Sequence, residues 1–344
     1  MAQVKKDFLE GAASQGILTN SEAEEIFSWI EKSQNYSFNK SHSISYAING
    51  YQTAYAKAHF PRAFFTAYLR HADGKPKTFV EINELVNNAR TMDIDVMPPS
   101  ICNGNANFCL IDKRPTFGIT NIKNVGMSVF NKLQAEVEER GYNLSEMSWE
   151  EFLMKLGRFI KSNSFECMIK AGAFDCYKVQ RQKMLYDFTI YRSLKDNDRE
   201  FMSECVHDLE TFEEGLETTI LYIRQKKQTV HTERHIELVE GAISALRNPP
   251  YELKDRWSWR AKQERELLGI ELTCSEIDEY DTLDSNCSCR DYVKGFDATA
   301  ISIAARVDDV REWKLTRGQK KGEVMAFLKI SDGTCTLDSV TVRI

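Results

Sequence analysis

The stretch FGITNIKNVG, residues 117 to 126, decides how the middle of this chain folds. It ends in Asn124-Val125-Gly126, a Gly-hydrophobic-Gly pattern in which asparagine replaces the first glycine. Asparagine is the residue that best tolerates left-handed backbone geometry after glycine. The stretch therefore predicts two helices joined by a tight hairpin. Backbone N–H groups of such a hairpin, and the start of the helix that follows, can hold a phosphate of DNA.

This arrangement is a helix-hairpin-helix, and it has an ordinary alternative. A tight connection between two helices can also be purely structural, and this stretch alone leaves both interpretations open. If the hairpin binds DNA, its candidate contact residues are Ile122, Lys123, Asn124, Val125 and Gly126.

Composition limits the class of protein. The chain has 344 residues, 42% hydrophobic and 28% charged, so we expect a soluble protein of two to four compact units. The net charge of −6 argues against a uniformly basic nucleic-acid binder. No membrane span or signal peptide is predicted. Nine cysteines without a CxxC pair indicate free thiols in a reducing cytosol, and we expect a cytoplasmic location.

Residues 36 to 77 are unlike the rest of the chain. They hold six Lys or Arg against one acid, together with nine aromatic residues. Basic charge interleaved with aromatic rings is typical of a nucleic-acid groove, where phosphates are neutralised and bases are stacked. A pair of amphipathic helices with a basic rim would have the same composition, so this alternative also stays open.

Caps, prolines and apolar spacing predict a mostly α-helical chain. The expected elements are a helix capped by the box from Thr19 to Glu22, a second from about Ser41 that ends before Pro61, a third from Pro61 to Gly74, a fourth over 78–91, and further helices over 118–270 with a linker at 247–255.

The last residues change from helical to alternating periodicity. ISIAARV (301–307), AFLKI (326–330) and TLDSVTVRI (336–344) predict three antiparallel strands, too few to close a small barrel. The loop 315–323 between the first two strands carries several basic residues. In an OB-fold this loop grips single-stranded nucleic acid, which makes Arg317, Lys320 and Lys321 candidate DNA contacts; a solvated hairpin tip is the alternative.

Three motifs look like metal sites but lack the ligands for one. Asp93-Ile94-Asp95 lies in an irregular, proline-rich segment, which favours a solvated turn. His231 and His235 have no apparent third ligand, and Cys287-Ser-Cys289 has no second cysteine pair. We therefore expect no metal ligand and no catalytic residue in this chain.

Taken in order, the motifs resemble the bacterial C-family replicative DNA polymerases, and most closely the DNA polymerase III alpha-subunit (DnaE) type. The resemblance covers nearly the whole chain. It is carried by FLEGAASQGI, YSFNKSHSISYAINGYQTAYAKAHFP, MDIDVMPPSI, FGITNIKNVG, MIKAGAFD, ERELLGIELT and the basic-loop β unit.

The resemblance implies a domain order and a nucleotide-binding surface. It implies the second half of the polymerase fingers over 1–110, a tandem helix-hairpin-helix region over 111–200, a helical linker region over 201–295 and the first strands of an OB-fold over 296–344. In the fingers, Lys40 and His42 would supply charge and donors near the nucleotide or primer-template, beside Ser41. Tyr46 and Tyr51 would offer rings that pack or stack.

The resemblance also implies which parts lie outside this chain. The family's palm, with three metal-binding aspartates, has no counterpart here, so we expect Mg²⁺ at the palm of the complete polymerase and an inactive isolated chain. The implied partners are duplex primer-template, single-stranded template, a chain carrying the palm, the sliding clamp and other replisome proteins, with no membrane. The host would be a bacterium or a phage-infected bacterium. Two alternatives remain: a non-catalytic DNA-binding accessory protein built from the same modules, and an inactive remnant.

Overall fold

The computed structural model describes residues 2–35, 40–72, 74–205, 209–226, 229–314 and 323–343. These residues are mostly helical, with a small antiparallel sheet near the C-terminus, which confirms the predicted fold class. By compactness the chain divides into two units, Met1–Phe60 and Pro61–Ile344. The finer boundaries at residues 110, 200 and 295 stay predictions.

The first unit consists of α1 (Ala2–Gln15), α2 (Asn20–Asn35) and α3 (Lys40–His59). The first two helices pack through Phe8 and Phe27, whose ring centroids lie 5.5 Å apart. The predicted capping box at the start of α2 is present. Glu22 N–H donates to Thr19 Oγ1 at 3.3 Å, and Thr19 N–H donates to Glu22 Oε2 at 2.8 Å. In contrast to α2, in which Ala23 and Phe27 are buried, α3 has no buried residue.

The second unit begins with two helices close to their predicted bounds, α4 (Pro61–Ala72) and α5 (Thr78–Thr91). An irregular segment follows, and then a short hairpin of β1 (Cys109–Ile111) and β2 (Arg114–Thr116) that the sequence did not predict. Asp112 and Lys113 form its two-residue turn with positive φ values of 48° and 62°. Such a turn matches the twist of the two strands that it joins.

Further helices make up most of the second unit. They are α6 (Met127–Arg140), α7 (Trp149–Leu156), α8 (Ser162–Lys170), α9 (Arg181–Ser193), α10 (Asp196–Cys205), α11 (Phe212–Arg224), α12 (Val230–Arg247), α13 (Trp257–Leu268) and α14 (Cys289–Val293). The predicted linker lies between α12 and α13. The core of this unit includes four buried rings that pack on one another with centroid distances of 5.0 to 6.0 Å in five pairs: Trp149, Phe152, Phe165 and Phe174. Aromatic pairs at these separations pack favourably beyond the area that they bury.

A three-stranded meander follows the helices: β3 (Arg306–Lys314), β4 (Val324–Ser331) and β5 (Thr336–Arg343), in that order across the sheet. The first strand is present but begins at Arg306, five residues later than predicted, since residues 301–305 precede it. Ile303 and Ala305 pack instead against the small buried cluster of Cys289, Cys335 and Leu337. Their alternating pattern therefore reflects core packing rather than strand pairing.

The meander is tied to helices of the second unit by polar contacts. Asn87 Nδ2 on α5 donates to Thr336 Oγ1 at 3.0 Å, and the Cys289 N–H at the start of α14 donates to Asp332 Oδ2 at 2.7 Å. Among the described helices, none has the length and apolarity that crossing a membrane requires.

Candidate nucleic-acid interface

The predicted hairpin is a turn between a 3-10 helix over Ile119–Asn121 and the N-terminus of α6. Asn124 has a φ of 67°, which is the left-handed geometry that was predicted for this asparagine. Val125 N–H closes the turn by donating to the Ile122 carbonyl at 3.0 Å. Ile122 and Val125 are buried, whereas Lys123, Asn124 and Gly126 are exposed. The apolar residues thus fix the turn in the core while its polar side faces solvent.

Two distant helices hold this turn in place. Ser164 Oγ on α8 donates to the Asn124 carbonyl at 2.8 Å, and the Asn124 side-chain amide lies 3.7 Å from Cys167 Sγ on the same helix. On the other side, Lys123 N–H donates to the carbonyl of Leu267 on α13 at 3.0 Å. The hairpin is therefore preorganised, so a ligand would not have to order it.

Gly126 leaves the start of α6 open. It is the residue before the helix, has extended geometry (φ −93°, ψ 166°) and offers no side-chain cap. The first N–H groups of a helix have no partner within the helix, and the helix dipole makes this end positive. Together with the exposed Lys123, the open end forms a site suited to an anion such as a phosphate.

One expectation about Gly126 needs correction. A tight hairpin predicts strain for a β-branched residue at position 126, but φ is negative and a Cβ at this position would meet no atom within 4 Å. The fold tolerates a side chain at residue 126. Such a side chain would instead cover the open N–H groups.

A second glycine, Gly118, is needed for close packing. A Cβ there would lie 2.1 Å from the Ala106 carbonyl oxygen, which is backbone and cannot move away. Two backbone hydrogen bonds hold the two segments this close together. Ile119 N–H donates to the Asn105 carbonyl at 3.1 Å, and Thr120 N–H donates to the Ala106 carbonyl at 2.9 Å. The irregular segment before β1 thus supports the first half of the hairpin.

A second connection repeats the first. A 3-10 turn over Gly157–Phe159 is followed by Ile160 and Lys161 and then by α8. In the first connection, the 3-10 turn Ile119–Asn121 is likewise followed by Ile122 and Lys123, in the turn before α6. Ile160 is buried and extended like Ile122, and Lys161 is exposed like Lys123. Lys161 was not among the predicted contacts. The repeated Ile-Lys pair after a glycine was the signal that could have identified it.

A buried charged cluster links the end of this region to α13. Arg181, fully buried, donates to Asp175 Oδ1 at 2.9 Å and Oδ2 at 2.7 Å, to Glu264 Oε1 at 2.8 Å and to the Lys170 carbonyl at 3.0 Å. Burial acts to lower the pKa of this guanidinium, but the hydrogen bonds and charges of Asp175 and Glu264 raise it above its usual value. We call Arg181, Asp175 and Glu264 the Arg181 cluster.

The candidate nucleotide-binding residues lie on α3, in the first unit. Lys40 and Ser41 are in its first turn, and Tyr46 and Tyr51 are 66% and 71% exposed. His42 packs edge-on against Tyr46 with a centroid distance of 4.5 Å. Tyr51 instead contacts the ring of Tyr55, and Tyr55 in turn contacts the ring of His59.

These rings form two sets on different sides of α3. With 3.6 residues per turn, Tyr46 and Tyr51 point about 140° apart. One flat base cannot stack on both rings at once. The assignment of these residues to nucleotide or template stays a prediction.

The predicted metal-like motifs have other partners. Asp93 pairs with Lys294, which lowers the pKa of this carboxyl, and Asp95 lies 3.5 Å from Arg290. His235 Nε2 lies 2.7 Å from Asp198 Oδ2. Within the described ranges, no group of three or more His, Cys, Asp or Glu could hold a metal ion. The carboxylates of Asp93 and Asp95 each face a basic side chain, so this pair does not fit Mg²⁺.

The basic loop residues Arg317, Lys320 and Lys321 lie outside the described residues. Their role in binding single strands stays a prediction. The stretch Gln182 to Tyr186 loosely resembles a sliding-clamp motif of the Gln-x-x-hydrophobic-aromatic kind. It lies on α9, where Met184 and Tyr186 are buried in the core. The aromatic residue that such a motif would present, Tyr186, is therefore part of the core.

Comparison with known proteins agrees with this geometry. Residues 93–184 match the helix-hairpin-helix motif family, which spans the braced hairpin and its repeat. Residues 93–184 of the chain are thus similar to a helix-hairpin-helix region. The chain is related, over up to 96% of its length, to a part of the bacterial DNA polymerase III subunit alpha, and this confirms the resemblance inferred from its motifs.

Three relatives define the extent of this similarity. The protein named DNA polymerase III subunit alpha from Thermus aquaticus is 33% identical over 181 residues, 52% of this chain and 14% of that protein. Those from Chlamydia trachomatis and Campylobacter jejuni are 28% and 26% identical over 337 and 340 residues, each 96% of this chain and 24% of the relative. The chain spans about a quarter or less of the length of these relatives.

Proposed function

We propose that this chain is a segment of a replicative DNA polymerase that grips duplex primer-template and helps to position nucleotide and template. The braced hairpin at Lys123 to Gly126 carries this proposal, because it combines a left-handed Asn124, an open helix start and an exposed lysine. A phosphate held this way is bound without reference to base sequence, as a replicative enzyme requires.

The exposed rings of α3 support the second half of the proposal. A helix without a buried residue, bearing Tyr46, Tyr51 and Tyr55 at 48 to 71% exposure, presents large apolar surface to a ligand. In nucleic-acid-binding proteins, exposed aromatic rings of this kind usually serve as surfaces on which bases stack. Nucleotide transfer itself would take place on a palm outside this chain, where Mg²⁺ would be held. A sliding clamp and other replisome proteins would contact the complete assembly.

The isolated chain should not extend a primer. We expect no product from primer-template, four nucleotides and Mg²⁺, and restored extension when a palm-bearing fragment of a DNA polymerase III subunit alpha is added. The control is that fragment alone. Robust extension by this chain alone would show that a catalytic centre exists within it. Tight duplex binding without any restored extension would favour the non-catalytic accessory protein.

In the reconstituted enzyme, Lys40→Ala and His42→Ala should raise the KM for nucleotide about tenfold or more. One lost charge-assisted hydrogen bond to a triphosphate costs about 1.5–3 kcal/mol. The matched control is Lys57→Ala, a lysine in the last turn of the same helix. All three variants should keep the native Tm, since α3 has no buried residue. Native nucleotide kinetics with a lowered Tm would assign both residues to stability instead.

A further inference from the structure

We propose that Cys102 and Cys176 are a modification site, at which a low-molecular-weight disulfide oxidant converts the two thiols into a reversible intramolecular disulfide. Their sulfur atoms lie 3.0 Å apart although the residues are separated by 74 positions in the chain. A disulfide has an S–S length of about 2.05 Å, so the sulfurs need to approach by about 1 Å. This inference does not depend on the proposed polymerase function.

The backbone already holds the two cysteines together. Cys102 lies in a 3-10 turn over Ile101–Asn103, and Cys176 lies in another over Asp175–Tyr177. Ile101 N–H donates to the Ala173 carbonyl at 2.8 Å, which joins the Cys102 turn to the residues just before the Cys176 turn. Tyr177 Oη donates to the Leu144 carbonyl at 3.2 Å, and Cys102 Sγ lies 3.6 Å from the same oxygen. Bond formation therefore requires side-chain movement rather than refolding.

Access and reactivity both favour reaction at this pair. Cys176 is exposed and Cys102 is half-buried, at the edge of an open cleft lined also by Ser145, Ser148 and Lys178. The hydrogen bond between the two sulfurs lowers the pKa of Cys102 to about 7 and raises the pKa of Cys176. Cys102 is thus the attacking thiolate near neutral pH, since the thiolate is the nucleophile.

The reaction balances in two exchange steps. The Cys102 thiolate attacks one sulfur of oxidised glutathione, which forms a mixed disulfide and releases one glutathione thiolate. Cys176 then loses its proton and attacks the Cys102 sulfur, which forms the protein disulfide and releases the second glutathione. The protein is oxidised by two electrons, and one glutathione disulfide is reduced to two thiols. The closed loop contains the whole braced hairpin, so the crosslink should stabilise that region.

The test is a titration of the reduced full chain with oxidised glutathione, followed by peptide mapping without reductant. We expect a Cys102–Cys176 peptide, reversal by reductant, and a Tm raised by about 5 °C or more. Cys176→Ser should accumulate glutathione on Cys102, because the second step is blocked. Cys109→Ser, which removes a half-buried thiol elsewhere, should crosslink like the native chain.

Two results would overturn the proposal. One is stable glutathionylation of Cys102 in the native chain without the crosslinked peptide, which would show that Cys176 cannot reach it. The other is absence of both products at oxidant concentrations that modify Cys109, which would show that the pair is not reactive.

Discussion

Duplex DNA should bind the Gly126→Val variant about tenfold or more weakly than the native chain. The valine has room and an allowed backbone geometry, so the fold should survive the change. Its branched side chain would stand over the first N–H groups of α6 and keep a phosphate from reaching them. Losing one charge-assisted contact of this kind costs about 1.5–3 kcal/mol, which corresponds to roughly tenfold to a hundredfold in affinity. Fluorescence anisotropy with a labelled duplex, repeated over a range of salt concentrations, measures the loss.

Two companion variants separate the hairpin from general effects. Gly241→Val places the same substitution in α12, at another glycine with open space around it, and should leave affinity unchanged. Lys123→Ala should weaken binding across all sequences and reduce the salt slope by about one phosphate contact. If folded Gly126→Val protein binds duplex like Gly241→Val, the hairpin is not a DNA contact.

The local features of this site were predictable from sequence because they depend on neighbouring residues. Asn124 adopts the predicted left-handed geometry, and α4 begins at Pro61 as predicted. A proline disfavours helical geometry in the residue before it and suits the first turn after it. Each of these rules acts over a few residues, which a single sequence displays directly.

The bracing of the hairpin was not predictable because its partners are remote. Ser164 contacts Asn124 across 40 positions in the chain. The Leu267 carbonyl on α13 accepts a hydrogen bond from the Lys123 N–H. One contact uses the hydroxyl of a common residue, and the other uses backbone groups that nearly every residue has. Residue type therefore gives no sign of them. The same reason explains why the Arg181 cluster was missed, since Arg181 and Glu264 are 83 positions apart.

Two errors came from interpreting a pattern without its surroundings. Alternating apolar residues at 301–305 suggested a strand, but they pack on a small cysteine-containing cluster instead. The tight hairpin suggested that a β-branched side chain would be strained at Gly126, whereas Gly126 is extended and has open space around it. In both cases periodicity and residue type were consistent with more than one tertiary environment.

Arg181→Met should reduce the free energy of unfolding of the second unit by about 3–5 kcal/mol. The substitution removes the positive charge that neutralises Glu264, and both side chains are fully buried. Removing one partner of a buried ion pair leaves an uncompensated charge, which is far more costly than losing an exposed pair. Urea titration followed by near-UV circular dichroism gives the change, provided that the slope with denaturant is unchanged.

The matched control is Arg247→Met, the same substitution at a side chain that is 55% exposed and pairs with Glu213 and Glu217 on the surface. It should cost at most about 1 kcal/mol, because water screens such pairs. Glu264 Oε2 accepts hydrogen bonds from the Leu272 and Thr273 N–H groups at 2.7 and 2.9 Å. Glu264→Gln removes the charge but keeps an oxygen that can accept these bonds. Combined with Arg181→Met it should cost less than the two single changes added together, because no unpaired charge of this ion pair then remains. Equal losses at Arg181 and Arg247 would mean that burial of the cluster contributes nothing beyond a surface ion pair.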